Sequence, residues 1–410
     1  MEISNGERSG GYLLSSSFPC RSRYMERLYF DANATTPVHP EVYEKMDPYL
    51  REEFGNPSSI HHWGQRARGA LEEARFQVAN FLRCSPSEVV FTGSGTEANN
   101  LAILGLVSRL AEQRVSSLKN LGGHCVVSAI EHSSVLDPFR WLEGWGIEVT
   151  YIPTDASGRV DPQRVIDSIR EETFLVSLML VNNETGVVQP VQEVGRVVRE
   201  RRIPLHVDAI QGAGKIPVVP MELGADLLTL APHKTEGPKG VGVLYVRKGC
   251  KLSPVIRGGS LDGGLRGGTH NVPAIVGCGA ALARLDEEYL FRVAEKASLR
   301  DRFEGALQDR LSVEVNGKGA ERVWNTSNIA FPGVAADVLL VRLDQAGIAA
   351  SRGSACASGS TKPSHVLLAM GLERDRVLSS LRFSFLPSIT EREVDLAVDI
   401  IEECVKDLRR

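Results

Sequence analysis

The chain has 410 residues, of which 42% are hydrophobic and 24% charged, and a formal net charge of −4. This length allows a large core and two domains, and the near-neutral charge argues against a nucleic-acid backbone or an anionic membrane as partner. Apolar runs such as Phe174–Val181 are far too short to span a bilayer. The seven cysteines lack paired short spacing, which argues against a disulfide framework or a zinc cluster and favours a reducing, cytoplasmic setting.

The first half of the chain alternates between strand-like and helical stretches. Residues 1–24 are polar, and we expect a disordered extension there. Helical patterns at Pro40–Phe54 and Gly64–Phe81 follow a strand-like start at Leu28. Runs that are apolar on both faces and separated by helices predict an α/β fold with a mainly parallel sheet sandwiched by helices. The apolar β-type runs are Val89–Thr92, Cys125–Ser128, Val149–Pro153, Phe174–Val181, Leu205–Val207, Leu227–Leu230 and Val241–Val246.

The pattern changes near residue 275. A long helical region, Ala274–Leu311, leads to strand-like Asn325–Phe331, helical Asp337–Leu343 and a final helix, Glu391–Leu408. These elements indicate a smaller α+β unit. We therefore predict a large domain over residues 25–275 and a small domain over 276–410, and we allow for residues 25–40 packing with the small domain.

Two chemically complementary side chains follow two of the predicted strands. Asp208 ends one apolar run, and Lys234 comes after His233 and before glycine-rich turns. A carboxylate can hold a proton on a pyridine nitrogen, while an amine can form a Schiff base with an aldehyde. A pyridoxal-phosphate (PLP) site needs both groups, although lone Asp and Lys residues more often belong to a solvated surface.

Two more stretches suit a phosphorylated, planar cofactor. The turn Gly93–Thr96 between a strand and a helix offers backbone N–H groups and a positive dipole end to a phosphate, although an ordinary tight turn has the same composition. His132 follows another predicted strand. An imidazole there could stack on a ring and exchange protons near neutral pH, and a structural histidine is the alternative.

Three residues near polar or interrupted segments are candidates for substrate chemistry. Asn183 follows the very apolar run Phe174–Val181, and polar groups at the end of a buried strand cost desolvation unless something binds them. Cys356 lies among small polar residues, a composition that indicates an exposed loop where a thiol can ionise and attack. Arg382 interrupts a β-like run and could bind a carboxylate or form a structural ion pair.

Together and in this order, the motifs resemble the NifS-like cysteine desulfurases, PLP enzymes of fold type I in the class-V aminotransferase superfamily. The likeness runs from about residue 27 to the C-terminus. The motifs that carry it are Asp31-Ala-Asn-Ala-Thr-Thr-Pro37, Gly55-Asn-Pro-Ser-Ser59, Gly95-Thr-Glu-Ala-Asn-Asn100, Glu131-His132, Asn182-Asn-Glu-Thr-Gly-Val-Val-Gln-Pro190, His206-Val-Asp-Ala-Ile-Gln211, His233-Lys234, Gly237-Pro-Lys-Gly240, Gly267-Gly-Thr269, Gly353-Ser-Ala-Cys356 and Leu381-Arg-Phe-Ser384.

The resemblance implies a role for each candidate residue. Lys234 would form the Schiff base with PLP, and Lys234 or His132 would act as the base. Cys356 would receive the sulfur. Asp208 would pair with the ring nitrogen, Gln211 would contact the ring hydroxyl, and His132 would stack on the ring. The phosphate would be held by Gly95, Thr96, His233 and Thr269 of the partner subunit, and Asn183, also a cofactor contact, would bind the substrate carboxylate with Arg382.

The activity implied by the resemblance is the conversion of L-cysteine to L-alanine by a homodimer. The sulfur would pass as a persulfide on Cys356 to an acceptor protein such as an iron–sulfur scaffold, with no metal, nucleic acid or membrane involved. A selenocysteine lyase or another PLP-dependent β-eliminating lyase is the alternative within the superfamily, and a catalytically silent scaffold is the alternative outside it. Cys356 favours sulfur transfer, and the intact Lys234 and Asp208 argue against a silent scaffold.

Three stretches depart from the family pattern. Ala231-Pro232 stands where the family has a serine that donates to the phosphate, so one phosphate hydrogen bond is missing or supplied otherwise. Gly258-Gly-Ser-Leu-Asp262 replaces Gly-Gly-Gly-Gln-Glu, and Phe385-Leu-Pro387 follows Arg382-Phe-Ser in place of a Leu-Gly-Arg segment. The nucleophile and Schiff-base positions match the family.

Overall fold

The structure is a computed structural model that describes residues 27–114, 122–259, 262–353 and 363–410. The extension expected at residues 1–24 and the predicted nucleophile Cys356 lie outside the described residues. The strands are β1 (Leu28–Tyr29), β2 (Val89–Thr92), β3 (His124–Ser128), β4 (Glu148–Ile152), β5 (Thr173–Ser177), β6 (Leu205–Asp208), β7 (Leu227–Leu230), β8 (Gly242–Val246), β9 (Glu314–Asn316), β10 (Thr326–Ala330), β11 (Ile348–Ala349) and β12 (Ser380–Ser384).

Helices separate most of these strands. The α-helices are α1 (Pro40–Arg51), α2 (His62–Leu82), α3 (Gly95–Arg114), α4 (Ser133–Glu143), α5 (Pro162–Asp167), α6 (Val191–Glu200), α7 (Pro220–Leu223), α8 (Val272–Ala283), α9 (Glu287–Ala294), α10 (Ala297–Arg310), α11 (Ala336–Gln345), α12 (His365–Ala369), α13 (Arg374–Leu378) and α14 (Glu391–Leu408). Within the four described ranges, no helix combines the length and hydropathy that a bilayer crossing requires.

Seven strands form the central sheet, in the order β2-β8-β7-β6-β5-β3-β4. Strands β3 to β7 pair in parallel, while β8 is antiparallel to both β7 and β2. Alternate residues of β3 enter different hydrophobic cores: Val126 packs in one, and Cys125 and Val127 pack in the other. Successive strand side chains point to opposite faces, so both faces of the sheet are covered. The predicted α/β fold with a mainly parallel sheet is confirmed.

The C-terminal part forms a smaller sheet of three antiparallel strands in the order β12-β10-β9. Helices α10 and α11 pack against this sheet, and α14 packs against both helices. Strand β1 pairs in parallel with β11, and Asp31 bridges to Ser384. The N-terminal residues that the structure describes therefore hydrogen-bond with the C-terminal part of the chain. Residue 275 lies inside α8, which packs against α1 and α2; a division there stays a prediction.

The apolar run Phe174–Val181 does not continue as a strand to its end. Strand β5 stops at Ser177. Two residues later the backbone N–H of Met179 donates to the Glu131 carboxylate, with 2.6 Å between N and Oε1. A neighbouring strand would have accepted that bond in a continued ladder. On this edge the Glu131 side chain therefore takes the place of a strand partner beyond Ser177, whereas the N–H groups of Leu178 and Leu180 still donate to the backbone oxygens of β6.

The helical region predicted over Ala274–Leu311 is three helices, α8, α9 and α10. The first break falls at Asp286, whose side chain accepts from the N–H of Tyr289 and so caps α9. An aspartate at such a position satisfies backbone donors that a continuous helix would not expose. The prediction that this region is helical was correct, and the prediction that it forms one continuous helical stretch was wrong.

Candidate active site

The candidate site lies at the carboxyl edge of the central sheet. Asp208 is the last residue of β6, and Lys234 ends the 3₁₀ turn Pro232–Lys234 that follows β7. His132 follows β3 as the N-cap of α4, and Asn183 comes after β5. The carboxyl ends of neighbouring parallel strands meet at one edge, so the strand ends bring together residues that are distant in sequence.

Asp208 is a buried carboxylate held by neutral donors. Its Oδ2 accepts from Asn99 Nδ2 at 2.9 Å, and its Oδ1 accepts from the N–H of Ile210 at 3.0 Å. Burial raises the pKa of Asp208, while these hydrogen bonds and the nearby His132 and Lys234 lower it. A cation bound beside it would relieve the cost of burying this charge, and a protonated pyridine nitrogen is such a cation.

A chain of buried polar groups orients Asn99 toward Asp208. Burial lowers the pKa of His206 to about 3, so the imidazole is neutral at pH 7. Its Nε2 lies 3.1 Å from Asn99 Oδ1, and its Nδ1 lies 2.8 Å from Ser177 Oγ. Nε2 must carry the proton because Asn99 Oδ1 can only accept. The arrangement leaves the Asn99 amide nitrogen facing Asp208, and sequence reasoning gave no role to Asn99 or His206.

His132 has a defined ring orientation. Its Nδ1 accepts from the backbone N–H of Ser134 at 3.1 Å and lies 2.8 Å from the Ser134 hydroxyl. A nitrogen that accepts from a backbone N–H is unprotonated, so Nε2 carries the proton of the neutral ring. The N-cap position thus fixes which nitrogen of His132 can donate.

A cleft of about 640 Å³ lies between the start of α3 and α4, and Thr96, His132 and Trp141 are among the residues that line it. This volume suits a small-molecule ligand. A Cβ atom on Gly95 would lie 2.5 Å from Ile210 Cδ1, so glycine lets the first turn of α3 approach the segment after β6. The glycine-rich turn, which the sequence suggested as a phosphate contact, therefore packs against Ile210, two residues after Asp208.

The Lys234 amine points toward the N-terminal segment. Its Nζ donates to the carbonyl oxygens of Asn33 at 2.8 Å and Ala34 at 2.6 Å. Gln211 Nε2 donates to the same Asn33 oxygen at 3.0 Å. The next side chain, His233, is held by Thr35 Oγ1 at 3.2 Å from Nδ1, and burial, helped by the charges of Lys234 and Lys239, lowers its pKa to about 4.

Arg382 forms an ion pair, and one of its donors has no acceptor within the described ranges. It is 1% exposed, and its Nη2 contacts Asp31 Oδ1 at 2.6 Å. Its Nη1 donates to the carbonyl oxygens of Gly353 at 2.8 Å and Asn183 at 3.0 Å. Its Nε is buried without a hydrogen-bond partner among the described residues. A buried N–H without an acceptor is costly, so an anionic substrate group would complete this site.

The three departures from the family pattern have local structural explanations. Asp262 pairs with Arg75 at 2.6 Å and His270 at 2.8 Å, which ties the glycine-rich segment before Thr269 to α2. Pro232 begins the 3₁₀ turn that carries Lys234. Phe385 packs edge-on against Phe30 and Phe303 in the small-sheet core.

Two further residues predicted for the site are not brought to it by the described structure. Thr269 is exposed, and Cys356 lies outside the described residues.

Glu131, next to His132, is a second buried carboxyl group that sequence reasoning left without a role. Its Oε1 accepts from Ser128 Oγ and from the N–H of Met179, both at 2.6 Å, while Oε2 has no hydrogen-bond partner in the described part of the chain. Burial, reinforced by the charge of Asp208, raises the pKa of Glu131 to about 8. The group is therefore protonated at pH 7.

This raised pKa makes stability pH-dependent. The folded protein keeps the Glu131 proton up to about pH 8, whereas the unfolded chain loses it near about pH 4.3. The native state binds more protons between these values, so stability falls as the pH rises through this window. We expect Glu131→Gln to gain about 1–3 kcal/mol over the wild type between pH 5 and pH 8.5, measured as thermal midpoints. Glu321→Gln, at an exposed site, should show no pH-dependent gain; equal profiles for both variants would contradict the prediction.

The residues present fit PLP, the cofactor of the family that the sequence resembles. Asp208 supplies a buried carboxylate for a ring nitrogen, and Lys234 supplies an amine just after the neighbouring strand. Thr96 and His132 line the adjacent cleft and supply a hydroxyl and an imidazole. Each of these groups is placed by a different element of the sheet edge.

Comparison with known proteins identifies the family. The aminotransferase class-V family model matches residues 28–396, so the chain belongs to the class-V aminotransferase family. Cysteine desulfurase IscS of Dictyoglomus turgidum is 42% identical over 93% of this chain and 95% of its own length. Within the family, the chain groups with the NifS-like cysteine desulfurases, which confirms the resemblance seen in the sequence.

Two solved structures support the same grouping. A NifS-like protein superposes with a TM-score of 0.85 at 35% identity, covering 93% of this chain and all (100%) of its own. SspA in complex with cysteine superposes with a TM-score of 0.77 at 37% identity, covering 88% of this chain and 100% of its own. The similarity extends over both the central sheet and the smaller C-terminal sheet.

Proposed function

We propose that this chain uses PLP to convert L-cysteine to L-alanine and that the sulfur leaves as a persulfide on Cys356. The observation that carries the proposal is the placement of Asp208 at the end of β6 and of Lys234 just after the adjacent strand β7. The buried carboxylate needs a cationic partner, and the amine lies close enough to lower the pKa of Asp208. Bound PLP would supply an electron sink for charge that develops on the substrate α-carbon.

The residues around that pair would position the cofactor and substrate. Asp208 would hold the proton on the ring nitrogen, and the orientation of Asn99 keeps the carboxylate in place. His132 would stack on the ring, with its Nε2 proton available for transfer. Arg382 Nε, which has no acceptor among the described residues, would bind the substrate carboxylate together with Asn183. Gly95, Thr96, His233 and Thr269 of the partner subunit would hold the phosphate.

Two side chains, Lys234 and Cys356, would then carry out the proton transfer and the sulfur transfer. Lys234 Nζ would take the proton from the α-carbon of the bound cysteine, as a positioned general base. The Cys356 thiolate would attack the substrate sulfur, so an S–S bond forms while the Cβ–S bond breaks and leaves its electron pair on the substrate. Protonation of Cβ gives alanine, and Cys356 keeps the persulfide. An acceptor thiol later removes that sulfur.

The wider organisation is also part of the proposal. We infer a large cofactor-binding domain over residues 25–275 and a small domain over 276–410, with residues 25–40 bound to the small domain through β1 and β11. A homodimer would bring the exposed Thr269 to a second active site. A reducing compartment such as the cytoplasm would keep the thiols free, and an iron–sulfur scaffold is the acceptor that we propose.

The decisive experiment incubates purified protein with L-cysteine and a thiol reductant and measures alanine and sulfide together. Sulfur transfer followed by reduction yields the two products in equal amounts. A β-eliminating lyase would instead release sulfide with pyruvate and ammonia. Sulfide accompanied by pyruvate, or no product from cysteine at all, would contradict the proposed function.

A further inference from the structure

A second lysine, Lys215, is buried beside Lys234 and has no role in the proposed reaction. It lies in the turn after β6 and is 8% exposed. Its Nζ donates to Asn33 Oδ1 at 2.8 Å and also to Gln211 Oε1. The backbone oxygen of Asn33 accepts from Lys234. One asparagine therefore binds both lysines, through its side-chain oxygen and through its main-chain oxygen.

Burying a charged amine at this position costs free energy. Burial lowers the pKa of Lys215 well below its usual value, and the positive charges of Lys234 and Arg382 lower it further. Among the residues that the structure describes, its Nζ donates to the Asn33 and Gln211 amides, which are neutral. An apolar side chain of similar volume would avoid this desolvation. The donors of Lys215, rather than its charge, are thus the property that the site uses.

Those donors determine which way the Gln211 amide faces. An amide has an accepting end and a donating end of nearly the same shape, and neighbouring groups decide between the two orientations. Lys215 donates to Oε1, while Nε2 donates one hydrogen to the Asn33 carbonyl oxygen at 3.0 Å. Rotating the amide would set Oε1 against that carbonyl oxygen and Nε2 against the lysine. The remaining Nε2 hydrogen is therefore fixed as a donor.

We propose that Lys215 is a positioning residue that acts through Gln211, fixing the amide so that its N–H, and not its oxygen, faces the ring hydroxyl of PLP. The inference rests on the proposed function, which assigns Gln211 to that hydroxyl. An N–H donor stabilises negative charge on the ring oxygen. It thereby lowers the proton affinity of the Schiff-base nitrogen conjugated with that oxygen, and this affinity can be read from the pH at which the visible absorption band titrates.

The test compares pH titrations of the visible band in holoenzymes of the wild type, Lys215→Met, Gln211→Leu and the double variant. Lys215→Met should raise the midpoint by about one pH unit, a tenfold increase in proton affinity. The double variant should shift no further than Gln211→Leu alone, because Lys215 acts through that amide. Lys251→Met, at an exposed position, should titrate like the wild type.

An unmoved midpoint in Lys215→Met would overturn the inference. Additive shifts in the double variant would also overturn it, because Lys215 would then act through its own charge and not through Gln211. Lys215→Gln is the second variant, and it serves if the methionine variant fails to fold. It removes the charge and keeps an N–H donor, so its midpoint should lie within a few tenths of a pH unit of the wild type. A midpoint shift as large as that of Gln211→Leu would overturn the proposal. A wild-type protein without a visible band after PLP addition would overturn the proposed function itself. A wild-type band with an unmoved Lys215→Met midpoint would overturn the inference alone.

Discussion

Replacing Lys234 by alanine is expected to remove the visible absorption band and to lower the rate of alanine formation by at least about 10²–10⁴-fold. The range is that of a lost general base, and loss of the Schiff-base amine adds to it. Both readouts change because one side chain serves both purposes. The measurement is an absorption spectrum after PLP addition, followed by the alanine assay on the same preparation.

The matched control is Lys251→Ala, which removes an exposed lysine just after β8. It should keep the wild-type spectrum and rate, because an exposed charge distant from the site is screened by solvent. A Lys234→Ala protein that retains the band would place the Schiff base on another amine. Lys215 would then be the first residue to examine, because it is a buried amine that binds the same asparagine, Asn33, as Lys234.

Replacing Cys356 by alanine should abolish the formation of alanine and sulfide from cysteine and leave the visible band intact. The described cysteines are poor alternatives as nucleophiles. Burial raises the pKa of Cys84 and Cys278 to about 12 and of Cys250 to about 11, so these thiols are not ionised at neutral pH. A thiolate is the attacking form. Sulfur transfer therefore depends on a cysteine whose pKa is not raised by burial.

Cys250→Ala is the control for this variant, since it removes a half-buried thiol near the amino-terminal edge of the sheet. It should retain wild-type rates and a cyanide-reactive persulfide after treatment with cysteine. Cys356→Ala should show no persulfide in the same assay. Full activity in Cys356→Ala would mean elimination without a thiol acceptor and would favour the lyase alternative.

The elements that the sequence predicted best are those whose pattern is local. The bounds of β2, β7 and α14 agree with the predictions to the residue. Strand β7 is a short apolar run bounded by polar or turn-forming residues. Helix α14 begins with a capping box, in which Thr390 and Glu393 satisfy each other's backbone N–H groups. Such signals need no knowledge of the rest of the fold.

The parts of the site that the sequence did not predict depend on contacts between distant segments. Asn33 lay within a recognised motif, yet its bonds to Lys215, Lys234 and Asn325 join three other regions of the chain. Lys215 did carry a usable signal, because it is a lone lysine between Gly214 and an Ile-Pro-Val-Val stretch. A charged residue in an apolar setting is rarely buried without a partner, and that anomaly could have marked it.

The tie between the N-terminal segment and β12 has a consequence for synthesis on the ribosome. Asp31 and Arg382 are 351 positions apart, and Asn33 bonds Ser384 across a similar separation. In a nascent polypeptide that has not yet emerged past β12, the segment that contacts Lys234 therefore lacks these two bonds and is held only by its other contacts. Translation products that stop before β12 lack both of these contacts and Arg382 itself, and they should consequently form no alanine from cysteine.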